Sequence, residues 1–287
     1  MSRPKQKINP QVQMFEESLG RKGGKGRLKG RHILVVGAGQ RKRQDPDTPF
    51  GNGRAIAVLS AREGAQVVCA DIDEESAQET AAIIEEEGGK GFPVIVDVAE
   101  PSEVKRMVVE AGRLMRRLDG LVLNVGISHG LSLDKISQEA WDLELNVNLR
   151  SHMLACQEAL LIMEKGGSIV LISSLASQRP NGRNPAYECS KAAQLALARN
   201  VALMGEPSGI RCNAVAPGLI DTPLGRFASD RRSDRAVVVP FGRQGTAWEV
   251  AYASLFLLSN EASYVNGQAL FVDGGLGVGI SSRPRTK

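Results

Sequence analysis

Short runs rich in Val, Ile and Leu alternate with longer amphipathic stretches from His32 almost to the end of the chain. Strand-length runs separated by helix-length stretches are typical of a parallel sheet whose connecting helices cover both faces. The predicted strands are residues 32–38, 65–72, 92–98, 120–127, 168–174, 209–217 and 268–274. The predicted helices are residues 53–63, 74–87, 102–117, 138–164, 185–205 and 247–259. The central runs are continuously apolar, as expected for strands buried on both sides. We therefore predict an α/β fold with about seven parallel strands in one doubly wound sheet.

The size and composition of the chain fit a single domain of this kind. It has 287 residues, of which 42% are hydrophobic and 24% charged, so disordered and fibrous classes are excluded for the bulk of it. The sequence holds no run of about 18 apolar residues, and its N-terminus is charged where a signal peptide is apolar. We expect a cytoplasmic protein without a membrane partner.

Basic residues are concentrated at the two ends of the chain. Residues 1–31 hold nine Lys and Arg against two Glu, and residues 281–287 hold three basic residues and no acid, although the net charge is only +4. We predict a flexible basic N-terminal arm at 1–27, a folded domain at 28–280 and a basic tail at 281–287. Such ends are usually solvated, so no nucleic-acid partner is expected; an anchor for nucleic acid or an anionic surface is the alternative.

The four cysteines show neither CxxC spacing nor a Cys/His cluster, and each lies in a predicted strand or helix. They are Cys69, Cys156, Cys189 and Cys212. We interpret them as reduced thiols of the core and predict no disulfide and no metal site.

A glycine-rich turn, interrupted by an insert, follows the first predicted strand. Its residues are Gly37, Gly39, Gly51, Asn52 and Gly53. When the ten residues 41–50 are treated as an insert, the remaining letters VGAGQGNGRAIA form a GxxxGxG turn between a strand and a helix. Glycines there allow a tight turn and let a pyrophosphate approach the N–H groups of the helix N-terminus. The pattern predicts a dinucleotide-phosphate site; an ordinary turn without a ligand is the alternative.

Acidic residues at strand ends bear on the choice of dinucleotide. Asp71 ends the second predicted strand, 18 residues after the last glycine of the turn. A carboxylate near this offset binds the ribose hydroxyls of NAD and repels the extra phosphate of NADP. Asp97, at the end of the third predicted strand, is placed to border the adenine, with a simple helix N-cap as the alternative. The basic residues of the insert that could instead reach a 2′-phosphate are Arg41, Lys42 and Arg43. We predict NAD, with NADP as the less favoured cofactor.

Four polar residues in the second half of the chain form another pattern. Tyr187 and Lys191 are spaced i, i+4 and share one face of a predicted helix. They follow Ser174, which ends the fifth predicted strand, and Asn148 precedes that strand in a long predicted helix. Glycine turn, strand-end Asp, the letters NVG, Asn, Ser and YxxxK occur in the order typical of one family. Over about residues 28–276 the chain resembles the short-chain dehydrogenases/reductases.

This resemblance implies a Rossmann-type sheet with strand order 3-2-1-4-5-6-7 and an NAD(P)-dependent oxidoreductase that moves a hydride between nicotinamide and a secondary alcohol or ketone. Tyr187 would be the general acid/base, with its phenolate stabilised by Lys191 and the nicotinamide cation. Ser174 would bind the substrate oxygen. Asn148, rather than the neighbouring Asn146, would anchor a water chain to Lys191, which also holds the nicotinamide ribose.

The resemblance also implies further cofactor contacts and an assembly. The cofactor contacts besides the turn, Asp71, Tyr187 and Lys191 are Asp97, Val98, Asn124, Gly126, Pro217, Gly218, Ile220 and Thr222. The helices predicted at 138–164 and 185–205 resemble the family's subunit-pairing helices, which implies a homodimer or homotetramer. The segment 223–240 would form the loop that selects the small-molecule substrate.

Other functions remain as alternatives. One is a 3-oxoacyl-thioester reductase that uses NADPH, and another is a non-catalytic binding protein on the same fold, although such a protein would be expected to have lost Tyr187 or Lys191. The letters GISHG at 126–130 match the GxSxG turn of hydrolases. The histidines beyond Ser128 are His129 and His152, and neither lies near the C-terminus as a hydrolase order requires. We therefore interpret this match as accidental.

Overall fold

The computed structural model describes residues 14–42, 47–229 and 236–278. Its strands are β1 (His32–Val36), β2 (Gln66–Asp71), β3 (Lys90–Ile95), β4 (Gly120–Leu123), β5 (Ser168–Ile172), β6 (Arg211–Pro217), β7 (Ile220–Asp221), β8 (Gly245–Thr246) and β9 (Ala269–Val272). Within the described residues, seven strands form a parallel sheet in the order β3-β2-β1-β4-β5-β6-β9. The predicted sheet and its strand order are confirmed; β9 takes the seventh place because β7 and β8 pair only with each other.

The helices alternate with these strands as predicted. They are α1 (Asn52–Arg62), α2 (Glu74–Glu86), α3 (Pro101–Met115), α4 (Gln138–Leu145), α5 (Ser151–Ile162), α6 (Pro185–Gly205), α7 (Pro223–Ser229) and α8 (Ala247–Leu258). The Asp73 side chain caps α2 by accepting a hydrogen bond from Ser76 N, as expected of a short acidic residue at that position. Thr246 and Glu249 form a reciprocal capping box at the start of α8. None of the helices in the described part of the chain is long and apolar enough to cross a membrane.

The side chains of β1 divide between the two faces of the sheet. Leu34 and Val36 pack in a core that includes residues of α3, α5 and α6. Ile33 and Val35 pack in a second core that includes residues of α1 and α8. Because β1 is buried on both faces, its period-two alternation cannot show as an apolar/polar pattern. Full burial of one such side chain contributes roughly 1.5–3 kcal/mol, so the two cores fix β1 firmly.

The centre of the sheet positions the candidate site. β1 pairs with β2 on one side and with β4 on the other, so the direction of winding reverses beside it. In sheets of this type ligands bind in the crevice beyond the carboxyl ends of the strands at such a reversal. The glycine turn after β1 and the residues following β4, β5 and β6 therefore share one edge.

The long helix predicted at 138–164 is interrupted in the structure. α4 ends at Leu145, a π-helical turn occupies Asn146–Arg150, and α5 begins at Ser151. Ser151 N donates to Asn146 O, five residues earlier, which is the hydrogen bond that defines a π turn. Such turns are frequent at functional sites, and this one contains Asn148. Apolar periodicity continues through the interruption, which explains why the sequence pattern did not reveal it.

The prediction that all four cysteines lie in the core is wrong for Cys189. Cys69, Cys156 and Cys212 are buried, whereas Cys189 is exposed on α6. Burial raises the pKa of the Cys69 and Cys156 thiols to about 12. Those two thiols therefore stay protonated and unreactive at neutral pH. Cys189 lies on the outer face of α6. The sequence did not reveal this position, because neighbouring residues of the helix, spaced i, i+4, belong to the core.

Residues 14–27 contact the folded body at several points, although residues 21–26 are exposed. Backbone N–H groups of Lys25 and Arg27 both donate to Glu63 Oε2 at 2.9 Å. The Arg27 guanidinium binds the Glu261 carboxylate with two hydrogen bonds of 2.8 and 2.6 Å. Basic residues of this segment are thus paired with acids of the folded body, which composition alone could not indicate. Residues 1–13 and the predicted basic tail at 281–287 lie outside the described residues.

Candidate active site

The glycine turn after β1 leaves room for a ligand only because side chains are absent. Gly37 has a φ of +78°, a conformation that favours glycine. A Cβ on Gly53 would lie 1.8 Å from Gly37 O, and a Cβ on Gly39 would lie 2.7 Å from Asp71 Oδ2. The N-cap of α1 is Gly51, which provides no capping side chain, and the first turn of α1 contains no acidic residue among those described. Its N–H groups and positive dipole end suit a phosphate.

The residues that directly precede and follow the insert lie close together. Gln40 Oε1 accepts a hydrogen bond from Gly51 N at 2.9 Å, so residues on either side of the insert are in contact. Phe50, the last residue of the insert, packs on Trp248 of α8, with ring centroids 5.2 Å apart. Lys42 forms an ion pair with Glu75 at the start of α2. The glycines on the two sides of the insert are therefore brought into one turn. Arg43, one of the predicted 2′-phosphate ligands, lies outside the described residues.

Asp71 is held beside the glycine turn by the main chain. Its Oδ2 accepts from Gly39 N at 2.8 Å and its Oδ1 accepts from Asp73 N at 3.2 Å. The carboxylate is half-buried at the end of β2. A carboxylate has about four acceptor positions, so two remain for the hydroxyls of a ribose.

Asp97 lies two residues beyond the end of β3, in a turn and not in a strand as the sequence analysis had it. Its Oδ1 accepts from Ala99 N at 2.9 Å, and its own N–H donates to Glu103 Oε2 at 2.8 Å. The N-cap of α3 is Glu100, so the alternative of a helix N-cap for Asp97 is wrong. Asp97 and the next residue, Val98, follow directly from the strand that borders β2, on the same edge as Asp71.

Asn124 and Gly126 follow β4 and join the glycine turn to the catalytic residues. Asn124 Nδ2 donates to Gly37 O at 2.8 Å, which fixes the first bend of the turn. A Cβ on Gly126 would lie 3.2 Å from Lys191 Nζ and 3.5 Å from Asn148 Oδ1. Glycine at this position therefore leaves the space between the lysine and the asparagine open.

The structure brings Ser174, Tyr187 and Lys191 together. Ser174 follows β5 and lies within hydrogen-bonding reach of the Tyr187 side chain at the start of α6. Lys191, one helical turn later, is buried and donates from Nζ to Ile172 O at 2.8 Å. Its Nζ lies 5.6 Å from the centre of the Tyr187 ring. The i, i+4 spacing on α6 thus aims the phenol and the ammonium group into one crevice.

Burial dominates the electrostatics of these two groups. It lowers the pKa of Lys191 to about 7, because the ammonium form loses its hydration. It also raises the pKa of Tyr187; the Ser174 hydrogen bond opposes this rise and the Glu144 carboxylate adds to it. The role expected of Lys191 and the nicotinamide cation in favouring the phenolate stays a prediction.

Asn148 lies in the π turn and is held there by hydrogen bonds to Ile127 and Gln194. Its Oδ1 accepts from Ile127 N at 2.8 Å and its Nδ2 donates to Ile127 O at 2.9 Å. Its main-chain oxygen accepts from Gln194 Nε2 at 2.6 Å. No hydrogen bond joins Asn148 to Lys191 among the described residues, and the two flank Gly126. Asn146 takes part in the π turn through its backbone oxygen, which accepts from Ser151 N.

The residues after β6 form the far wall of the crevice. Pro217 is the last residue of that strand, and the next residue, Gly218, donates from its N–H to Val272 O at 2.9 Å. Ile220 in β7 is buried, and Thr222 Oγ1 accepts from Gly225 N at 3.0 Å at the start of α7. The Thr222 hydroxyl hydrogen remains available to a ligand acceptor.

A dinucleotide fits this set of residues. The glycine turn would hold its pyrophosphate, Asp71 its adenosine ribose, and Lys191 its nicotinamide ribose. Gly126 supplies clearance at the point where a side chain would collide with the lysine.

The sequence did not single out Glu144, a buried carboxylate close to the site. Glu144 is buried in α4, and its carboxylate acts on Tyr187. Its position four residues before Asn148 places both on one helix face, a signal that was present in the sequence. His129 binds this carboxylate through ring Nδ1 at 2.9 Å.

The hydrolase alternative has no support in the geometry. Ser128 Oγ accepts from Gly130 N at 3.2 Å. The His129 ring is bound to Glu144, and the His152 ring is buried between Gln194 and Val125 O. No histidine among the described residues is hydrogen-bonded to Ser128, so the nucleophile–base pair that hydrolysis requires is not assembled.

Comparisons with known proteins agree with this geometry. The family model described as Enoyl-(Acyl carrier protein) reductase matches residues 50–277. The chain is 34% identical to the 3-oxoacyl-(acyl-carrier-protein) reductase FabG of Thermotoga maritima, with 87% of this chain and 99% of that protein covered. It is also 34% identical to glucose 1-dehydrogenase of Gluconobacter oxydans, covering 88% and 94% respectively. A crystal structure of a short-chain dehydrogenase/reductase from Burkholderia xenovorans superposes with a TM-score of 0.82 at 34% identity, over 88% of this chain and 98% of that one.

Proposed function

Because the chain belongs to the short-chain dehydrogenase/reductase family and is an oxidoreductase acting on CH–OH groups, we propose that it oxidises a secondary alcohol with NAD, using Tyr187 as the general base. The observation that carries the proposal is the meeting of Ser174, Tyr187 and Lys191 in one crevice beside the glycine turn and Asp71.

Each catalytic residue has a distinct task. Nicotinamide, when bound, supplies the hydride acceptor for oxidation or the hydride donor for reduction. Ser174 hydrogen-bonds the substrate oxygen and orients it toward the Tyr187 phenol. Tyr187 takes the hydroxyl proton from the alcohol, or returns it to the ketone oxygen in the opposite direction. Lys191 holds the ribose and, when protonated, stabilises the phenolate.

Because burial raises the pKa of Tyr187, ligand binding must supply the free energy that favours the phenolate. Every pKa unit corresponds to about 1.4 kcal/mol of difference between the two protonation states. A positive charge brought beside the phenol favours the phenolate, and the Lys191 ammonium and an oxidised nicotinamide are the charges that fit here. Tyr187 is therefore an acid in the resting protein and becomes a base on binding.

The preference for NAD is supported by the charges around the adenosine end. Asp71 sits where a 2′-phosphate would approach, and Glu74 and Glu75 follow in the first turn of α2. Lys42 is paired with Glu75 and so brings no net positive charge. Because this pair cancels the charge of Glu75 as well, an added phosphate would meet the carboxylates of Asp71 and Glu74.

A 3-oxoacyl-thioester reductase that uses NADPH is the second candidate. The name of the Thermotoga relative favours it, and Lys42 would have to leave Glu75 to support the extra phosphate. A non-catalytic protein on the same fold is less favoured, because Asn148, Ser174, Tyr187 and Lys191 are all in place.

We further propose a cytoplasmic homodimer or homotetramer that acts on a small molecule and has no nucleic-acid or membrane partner. Exposed apolar side chains support the assembly: Leu161 near the end of α5 is 75% exposed, and Leu203 and Met204 near the end of α6 are 71% and 73% exposed. Apolar clusters of this kind mark association surfaces. The segment 223–240, part of which is described as α7, remains the proposed substrate loop.

Replacing Tyr187 by Phe tests the proposed chemistry. Loss of the proton carrier should lower the rate of NAD reduction by about 10²- to 10⁴-fold, while NADH binding followed by fluorescence stays within a few-fold. Tyr264→Phe, on a fully exposed tyrosine, is the matched control and should behave as wild type.

The assay uses a panel of sugars, polyols, hydroxy acids and 3-oxoacyl thioesters with each cofactor, and we expect the lower KM for NAD. Full activity of Tyr187→Phe, or an equal or lower KM for NADP, would contradict the proposal.

A further inference from the structure

A buried carboxylate and a partly exposed imidazole lie together on the substrate side of the crevice. Glu144 Oε1 accepts from the backbone N–H of His129 at 2.7 Å and from its ring Nδ1 at 2.9 Å. The Glu144 side chain is 2% exposed, whereas that of His129 is 38% exposed. The proposed mechanism uses neither residue.

The pair is adjacent to the catalytic tyrosine. His129 belongs to the loop that leaves β4 just after Gly126, which borders Lys191 Nζ. The next residue, Gly130, would carry a Cβ 3.6 Å from Asn184 Oδ1, three residues before Tyr187. The effect of the Glu144 carboxylate on the Tyr187 phenol agrees with this placement. His129 thus belongs to a loop whose residues on either side, Gly126 and Gly130, lie beside Lys191 and the start of α6.

The hydrogen bonds define what the imidazole offers to a ligand. An ionised carboxylate only accepts hydrogen bonds, so Nδ1 carries a proton, and in the neutral ring Nε2 then presents a lone pair. Within the described residues no protein group is hydrogen-bonded to Nε2. Glu144 Oε2 is buried and also has no partner among them. A buried carboxylate that is only half satisfied is costly to retain, which suits a role in orienting His129.

We propose that His129 Nε2 accepts a hydrogen bond from a second hydroxyl of the substrate, adjacent to the carbinol that is oxidised, and that Glu144 is the positioning residue that orients the ring. This inference rests on the proposed function. The substrate class it assigns is a neutral vicinal diol or polyol. An anionic group would be repelled by Glu144, and the carbonyl oxygen of a thioester, itself an acceptor, would find no donor on Nε2.

Matched alcohols test the assignment. The full-length enzyme is assayed for NAD reduction with trans-1,2-cyclohexanediol against cyclohexanol and with 2,3-butanediol against 2-butanol. Wild type should show a kcat/KM at least about tenfold higher for each diol. His129→Ala should remove most of that preference and leave kcat/KM for the mono-alcohols within about threefold. Ser132→Ala, a change at a partly exposed serine on the same loop, should leave the preference intact.

Substitutions at Glu144 separate positioning from a general structural role. Glu144→Leu removes both acceptor oxygens at similar volume and should lower the diol preference as His129→Ala does. Glu144→Gln keeps an acceptor for Nδ1 and should restore most of it. A merely structural role, or the effect of the Glu144 charge on Tyr187, would change kcat/KM for diols and mono-alcohols alike and leave their ratio at the wild-type value.

The possible outcomes distinguish a failure of this inference from a failure of the proposed function. Turnover without a diol preference, a preference that survives His129→Ala, or greater activity on a 3-oxoacyl thioester overturns the role of His129 while the oxidoreductase activity stands. Failure of every alcohol, polyol and ketone to change the NADH signal would remove the proposed function, and the inference would fall with it.

Discussion

His152 is a buried base directly behind the catalytic residues, and its neutrality holds them in place. Its Nε2 lies 3.2 Å from Val125 O, and its Nδ1 lies 3.0 Å from Gln194 Nε2, which in turn binds the main chain of Asn148. Burial, together with the neighbouring Lys191 charge, lowers the pKa of His152 to about 3. Protonation would place a second N–H against the Gln194 amide and break this chain of contacts.

This lowered pKa predicts a loss of stability in mild acid. A histidine that titrates at about 6.5 when unfolded and about 3 when folded binds more protons in the unfolded state, so stability is lost as pH falls from 6.5 toward 3. Between pH 7 and pH 5 the loss should be about 2 kcal/mol. The free energy of unfolding, measured with urea at both pH values, should fall by about 2 kcal/mol less in the His152→Gln variant than in wild type. Wild type is the reference, and equal slopes for wild type and His152→Gln would contradict the argument.

At the scale of residues, the sequence was sufficient where spacing alone places a group. Tyr187 and Lys191 meet because a helix puts i and i+4 on one face, and Ser174 and Asp71 lie at strand ends that share an edge. Spacing could not show that burial raises the pKa of Tyr187 and lowers that of Lys191, because desolvation depends on how many atoms surround each group. Glu144 was overlooked for a similar reason, since only tertiary contact turns an ordinary helix residue into a buried partner of His129.

At the scale of elements, the glycine turn tolerates an insert because the insert has its own anchors. Gln40 closes its base on Gly51, and Phe50 packs on Trp248, which also carries the Arg62 guanidinium 4.8 Å above its ring. The position of the insert was predictable, since the glycines on both sides complete one pattern. Its contact with Trp248 was not, because almost two hundred residues separate the two rings in sequence.

Deleting residues 41–50 should therefore preserve the fold and the cofactor site. Gln40 and Gly51 are already in contact, so a direct connection needs little movement of α1. We expect NADH affinity within about threefold of wild type and an unfolding free energy lower by roughly 1–3 kcal/mol through loss of the Phe50 ring. Fluorescence titration and urea unfolding measure the two.

Phe50→Ala is the companion variant, since it keeps the insert and removes the ring. It should reproduce the loss of stability. A large loss of NADH binding in the deletion, but not in Phe50→Ala, would show that the insert itself contacts the cofactor.

At the scale of the whole molecule, opposite charges tie the N-terminal segment to the body. Residues 25–27 are held by Glu63, and Arg27 by Glu261, so part of the positive charge counted at the chain end is neutralised on folding. Composition located the charge but could not show its partners. The parallel sheet, by contrast, was predictable as a whole, because each strand and each crossover helix repeats the same pattern.

The exposed apolar residues near the ends of α5 and α6 make a prediction about assembly. Leu203 is 71% exposed in the single chain, so Leu203→Glu should change the stability of an isolated subunit by no more than about 0.5 kcal/mol. In a face shared with a second copy, the same change would bury an unpaired carboxylate, which is strongly unfavourable. We expect light scattering coupled to size exclusion to show a dimer or tetramer for wild type and a smaller species for Leu203→Glu. Leu133→Glu, at a leucine that is 74% exposed on the loop after β4, is the matched control and should keep the wild-type mass. A monomeric wild type, or an unchanged mass for Leu203→Glu, would mean that these helices do not pair subunits.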